Sequence, residues 1–99
     1  MGRQSRDEVV AILTGKRSLL DRYHVRSVAI FGSVARGEAT EHSDIDLLVE
    51  FSKPVGLLHF VRLKRELEEI LDRPVDLATR KSLKPQLRER ILKEAVRAA

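Results

Sequence analysis

Two carboxylates spaced two residues apart, Asp44 and Asp46, follow a Gly32-Ser33 pair after ten intervening residues. These residue types in this order suit chemistry on a phosphate. The stretch Asp44-Ile45-Asp46-Leu47-Leu48-Val49-Glu50-Phe51 is rich in aliphatic and β-branched residues and predicts a strand, in which successive side chains point to opposite faces. Ile45, Leu47, Val49 and Phe51 then share an apolar face, while Asp44 and Asp46 share the other, separated by about 7 Å along the strand. Like charges so close repel, and partial burial adds to the cost of ionising both. A hard divalent cation relieves both costs and takes oxygen ligands from carboxylates and triphosphates alike. By themselves, the two acids are equally compatible with a strand end surfacing into solvent.

The upstream residues favour the phosphate reading. Val25 to Phe31 reads as a strand that ends abruptly at Gly32-Ser33, with Val34-Ala35-Arg36-Gly37 forming a single helical turn. Glycine lets backbone approach a ligand, and the free N–H groups at the start of such a turn face outward. Ser33 adds a hydroxyl donor, Arg36 positive charge, and Gly37 a left-handed end to the turn. Alone, Ser33 would read as the N-cap of a short helix.

A third acid tests the reading, because gripping an attacking and a leaving oxygen with two metals requires more than two ligand side chains. Pro74-Val75-Asp76-Leu77-Ala78-Thr79 supplies it: Val75 and Leu77 would face the core and Asp76 the opposite side. If the strands are neighbours, Asp44, Asp46 and Asp76 converge. The competing account is a lone acid that discourages edge pairing. His42, Glu38 and Glu41 in the intervening loop read as solvent-facing, as do Arg80, Lys81 and Lys84 beyond the third strand. No Cys/His metal spacing is present.

Gly32-Ser33-Val34-Ala35-Arg36-Gly37-Glu38, Ser43-Asp44-Ile45-Asp46-Leu47-Leu48-Val49 and Val75-Asp76-Leu77 together resemble the polymerase-β-like nucleotidyltransferase superfamily, and within it the minimal nucleotidyltransferase (MNT) proteins. The resemblance runs from about Val25 to the chain end. It implies that Asp44, Asp46 and Asp76 are catalytic and bind two Mg²⁺ ions, that Gly32 and Ser33 hold the nucleotide phosphates, and that ATP is the donor; Arg36, one turn on, is read from its own position and charge as a further phosphate contact. It further implies transfer of AMP to a hydroxyl, a tyrosine of a cognate HEPN-domain toxin, the chain acting as antitoxin. Two other readings stay open: a non-catalytic module that neutralises its partner by binding, and nucleotidyl transfer to RNA or a small molecule.

The elements that must position these residues are legible in part. Ser5-Arg6-Asp7-Glu8 has the form of a capping box and opens a helix on which Val9, Ile12, Leu13, Leu19, Leu20 and Tyr23 recur, with a possible break at Gly15. Leu57 to Asp72 predicts a helix with Leu57, Val61, Leu67, Ile70 and Leu71 on one stripe. Pro85 starts a last helix carrying Leu87, Ile91, Leu92, Ala95 and Val96. His24 falls in the turn before the first strand and His59 on a helix surface. The order predicts an α/β (α+β) domain, residues 1–99, with a small mixed sheet backed by helices on its apolar face and the acids on the other.

Composition sets limits on partners. The net charge of +4 invites a nucleic-acid reading, but only four aromatic residues are present, and Phe31 and Phe51 read as core, so a base-stacking platform is lacking. Direct nucleic-acid binding is therefore not expected. No apolar run has the length of a membrane span, cysteine is absent, and a cytoplasmic chain is the expectation. An apolar stripe left on the first or last helix would allow homo- or hetero-oligomers.

Overall fold

Ser5 opens the first helix: its hydroxyl accepts the Glu8 N–H at 3.3 Å, so one of the otherwise unpaired N–H groups of the first turn is satisfied. The computed structural model describes residues 5–40 and 43–99, and in it this helix, α1, spans Arg6–Thr14 and buries Val9 and Leu13. The chain breaks at Gly15-Lys16 and continues as α2, Arg17–Arg22, which buries Leu20. His24 then takes a left-handed conformation (φ 62°), turning the chain into β1, Val25–Phe31.

A four-residue helical turn, α3 (Gly32–Ala35), follows, and β2 runs Ile45–Phe51. Helix α4, Leu57–Leu71, crosses over to β3, Val75–Ala78. A 3₁₀ turn at Arg80–Ser82, closed by reciprocal Thr79 and Ser82 hydrogen bonds, leads to α5, Pro85–Glu94, and to a short β4, Val96–Arg97. The mixed sheet has the order β3-β2-β1-β4. β1 is antiparallel to β2 and β4, whereas β2 and β3 are parallel, as a helical crossover requires.

One face of the sheet is the core face. Val28, Ile30, Ile45, Leu47, Val49, Val75 and Leu77 project from the strands onto Val9, Leu13 and Leu20 and onto Leu63, Leu67 and Leu71 of α4. The α4 stripe therefore differs from the sequence reading. Spacing of four through Leu63, Leu67 and Leu71 defines it, while Leu57, in the first turn, is 79% exposed. His59 also departs from expectation, being half-buried: its Nε2 lies 2.6 Å from the Tyr23 carbonyl and its ring stacks on His24.

The last helix is shorter than its apolar pattern suggests. Val96 belongs not to α5 but to β4, where it pairs with Ile30, and Ala98 donates its N–H to the Val28 carbonyl at 2.8 Å. β1 would otherwise present an unpaired edge, and two residues of terminal strand cover part of it. None of the α5 side chains is fully buried. Among the described residues, no helix is long and apolar enough to cross a membrane.

Candidate active site

The end of β1 and the start of β2 meet because the strands are antiparallel, with Phe31 paired to Asp46. Gly32, the next residue, has φ 71°. That conformation favours glycine, and space requires it too: a Cβ there would stand 3.0 Å from Asp46 Cγ and drive into the carboxylate. The glycine of the first motif is thus the seat of the second motif's inner acid. Gly37 likewise has φ 74°, as expected for the end of the turn.

Parallel pairing of β2 with β3 sets Asp46 directly opposite Asp76. Both project from the sheet's open face, since Ile45, Leu47, Val75 and Leu77 are buried on the other. Asp46 is half-buried, Asp76 exposed, and Asp44 exposed just before the strand begins. Burial pushes the Asp46 carboxyl up to about 6, and the negative charges of Asp76 and Asp44 push in the same direction while Arg36 opposes them. Among the described residues no group of three His, Cys, Asp or Glu side chains forms a ready-made metal cage. The donor chemistry nevertheless fits a hard divalent cation: carboxylates only, on neighbouring strands, one of them pushed up by burial and by its acidic neighbours.

Ser33 lies half-buried in α3, and Arg36 follows that turn. The Arg36 guanidinium is not free in this state. It donates through Nε to Glu38 at 3.0 Å and through Nη1 to Glu94 at 3.1 Å. Glu41 and His42 lie outside the described residues. Arg80 and Lys81 sit on the 3₁₀ turn, at the rim of a groove of 990 Å³ along the open face whose floor includes Ala29 and Leu48. Leu48 is two residues along β2 from Asp46, so the groove leads away from the acids on the same face.

Two positioning residues have no signature in the sequence. Arg73, 7% exposed, donates through Nη2 to the carbonyls of Thr40 (3.0 Å) and Ser43, and so ties down the loop that delivers Asp44. Glu68 of α4 accepts the Val75 N–H at 3.0 Å and Lys64 Nζ at 3.2 Å, fixing the residue before Asp76. The Val75 N–H, followed by Lys64, holds the Glu68 carboxyl below its ordinary value. By pattern alone, Glu68 is an ordinary charge on a helix and Arg73 a residue next to a proline.

A mixed sheet with a glycine corner closing β1 and paired carboxylates on the open face defines the nucleotidyltransferase class. The chain belongs to the nucleotidyltransferase domain family, whose model matches residues 14–98. It is 53% identical over 78 residues to a candidate protein adenylyltransferase of Methanocaldococcus jannaschii, covering 79% of this chain and 84% of that one. It is 43% identical over 91 residues to the protein adenylyltransferase MntA of Thermococcus cleftensis, covering 91% of this chain and 92% of the relative. A solved candidate minimal nucleotidyltransferase superposes with a TM-score of 0.80 at 42% identity, over 95% of this chain and 96% of that one. A chain from the complex of a tri-AMPylated Shewanella oneidensis HEPN toxin with its MNT antitoxin shares the fold, with a TM-score of 0.66 at 19% identity over 92% of this chain and 71% of that one.

Proposed function

We propose that this nucleotidyltransferase transfers AMP from ATP to a tyrosine hydroxyl of a HEPN toxin and thereby acts as its antitoxin. The observation that carries the reading is the Asp46–Asp76 pair in register beside Gly32. Carboxylates on one open face, next to a glycine corner, are the parts that phosphoryl chemistry needs. The relatives named as protein adenylyltransferases supply the acceptor class, and the HEPN partner follows from the toxin complex that shares the fold.

In this reading Asp44, Asp46 and Asp76 would hold two Mg²⁺ ions, which would supply charge neutralisation and lower the pKa of the acceptor hydroxyl. Gly32 N–H, the Ser33 hydroxyl and Arg36 orient the triphosphate so that the α-phosphorus faces the open side of the sheet. The hydroxyl oxygen attacks the α-phosphorus, its proton passes to Asp76, and the bond to the bridging oxygen breaks to release pyrophosphate. Asp76 suits the base role because it is exposed at the edge strand, where an acceptor can approach. The open-face groove, with Lys53, Arg80, Lys81 and Arg97 along it, is where an acceptor segment would lie.

The test is incubation with α-labelled ATP, Mg²⁺ and the protein encoded by the adjacent reading frame. Label moves to that protein and is lost with Asp44→Asn or Asp46→Asn, both variants keeping their fold. Tight binding and neutralisation without label would replace the enzyme with a binding module. Label on RNA or a small molecule without any protein partner would move the acceptor elsewhere.

A further inference from the structure

Two donors of the glycine corner, the Gly32 N–H and Arg36 Nη1, are already occupied by a residue that neither motif contains. A single oxygen, Oε1 of Glu94, accepts the Gly32 N–H at 3.2 Å and Arg36 Nη1 at 3.1 Å. These contacts join groups 62 and 58 residues apart in the chain. They also hold a carboxylate where its own surroundings disfavour it. Glu94 is the last residue of α5, the end at which the helix dipole favours cations, and it is close enough to Asp46 to add to the negative charge there. Its side chain is only 22% exposed. The amide and the guanidinium are what offset these costs.

A carboxylate oxygen seated on a backbone N–H and a guanidinium is the counterpart of a phosphate oxygen, with the same charge sign and donor demand. We propose that Glu94 is an internal anion in the seat of a nucleotide phosphate, filling it in the nucleotide-free protein and giving way only to a polyphosphate. This rests on the nucleotidyl-transfer reading of the corner. Glu94 shares Arg36 with Glu38 at rest, and an incoming ligand must replace the two Glu94 contacts, to the Gly32 N–H and to Arg36 Nη1, before it gains any. A triphosphate, with several oxygens and more charge, can do so, whereas a monophosphate brings too little. Glu94 is thus a specificity-determining residue: it sets how strongly the site prefers triphosphates over monophosphates.

The experiment is titration calorimetry of the full chain in Mg²⁺ with a non-hydrolysable ATP analogue, inorganic tripolyphosphate and AMP, comparing the parent protein with Glu94→Gln and Glu94→Ala. Removing the charge strengthens binding of the analogue and of tripolyphosphate by roughly three- to tenfold. AMP gains proportionally more, so the preference for triphosphate narrows. The Gly32 amide resonance shifts in nucleotide-free Glu94→Ala and, in the parent, on adding tripolyphosphate. Unchanged or weaker binding by both variants, with their amide spectra otherwise native, would make Glu94 a support for Arg36 and overturn the proposal while leaving the nucleotide site standing. Failure of all three proteins to bind any polyphosphate would remove the nucleotide reading and this one with it.

Discussion

Gly32 and Asp46 interlock: the left-handed backbone of one opens the space that the carboxylate of the other fills, and a Cβ would come within 3.0 Å of Asp46 Cγ. A phosphate corner and an acid, separate in the chain, are therefore one object in space. Gly32→Ala should strain the backbone and push Asp46 off its position together. Expected outcomes are a loss of about 1–3 kcal/mol in denaturant unfolding and loss of label transfer, while Gly37→Ala, where nothing lies within 4 Å of the new Cβ, costs only backbone strain and retains transfer.

Asp46 makes stability fall with rising pH in the metal-free protein. Its folded carboxyl keeps its proton to about pH 6, against an ordinary value of 3.8, so the folded state binds more protons within that window. The group's stabilising contribution is complete below the unfolded value and is lost as pH climbs through about 6. Asp46→Asn removes the penalty. Urea unfolding at pH 7.5 should show the variant more stable by on the order of 1 kcal/mol, allowing for screening of a partly exposed group, and the gap should close near pH 4. Adding Mg²⁺ should stabilise the parent more than the variant.

Arg73 governs Asp44 at a distance. With its guanidinium on the carbonyls of Thr40 and Ser43, it holds the loop immediately before the acid. Arg73→Met leaves those carbonyls without the guanidinium and should cost about 1–3 kcal/mol. Label transfer should drop more than nucleotide affinity does, because the corner at Gly32 is untouched. Equal loss of both in paired calorimetry and transfer assays would assign Arg73 to general folding.

Glu68 plays the matching part for Asp76. Its carboxyl titrates below its ordinary value because it accepts the Val75 N–H and faces Lys64, so its contribution is present at neutral pH and lost as pH falls through the folded value. Glu68→Gln should lower the thermal midpoint by about 2–5 °C at pH 7, with the difference shrinking on acidification. A constant difference across the carboxylate range would show that the charge is not what matters.

Much of the fold was legible because its signals are local. Alternation over Ile45–Phe51 and Val75–Ala78 marks a half-buried strand whichever strand lies beside it, and Gly32-Ser33 marks an abrupt end to β1. Pro85 and Ser5 marked helix starts through effects confined to a single turn. The errors lie where two patterns compete. An apolar run from Leu87 to Val96 fits a helix, yet Val96 pairs with Ile30 because the edge of β1 offers ladder hydrogen bonds that an exposed last helical turn does not. Leu57 fits the α4 stripe by spacing but lies exposed in the first turn of the helix.

The sequence by itself determined which chemistry was available: a glycine turn, two acids at the start of one strand and a third on another. Those choices are written into residue type and a two-residue period. Tertiary structure alone decided how they meet. Parallel pairing of β2 with β3 put Asp46 opposite Asp76 rather than one residue out of step, the β1–β2 antiparallel ladder delivered Gly32 to Asp46, and the end of α5 brought Glu94 onto the phosphate corner. Register and long-range contact depend on how whole faces pack, and a one-residue slip of either strand would turn its own acid to the core side.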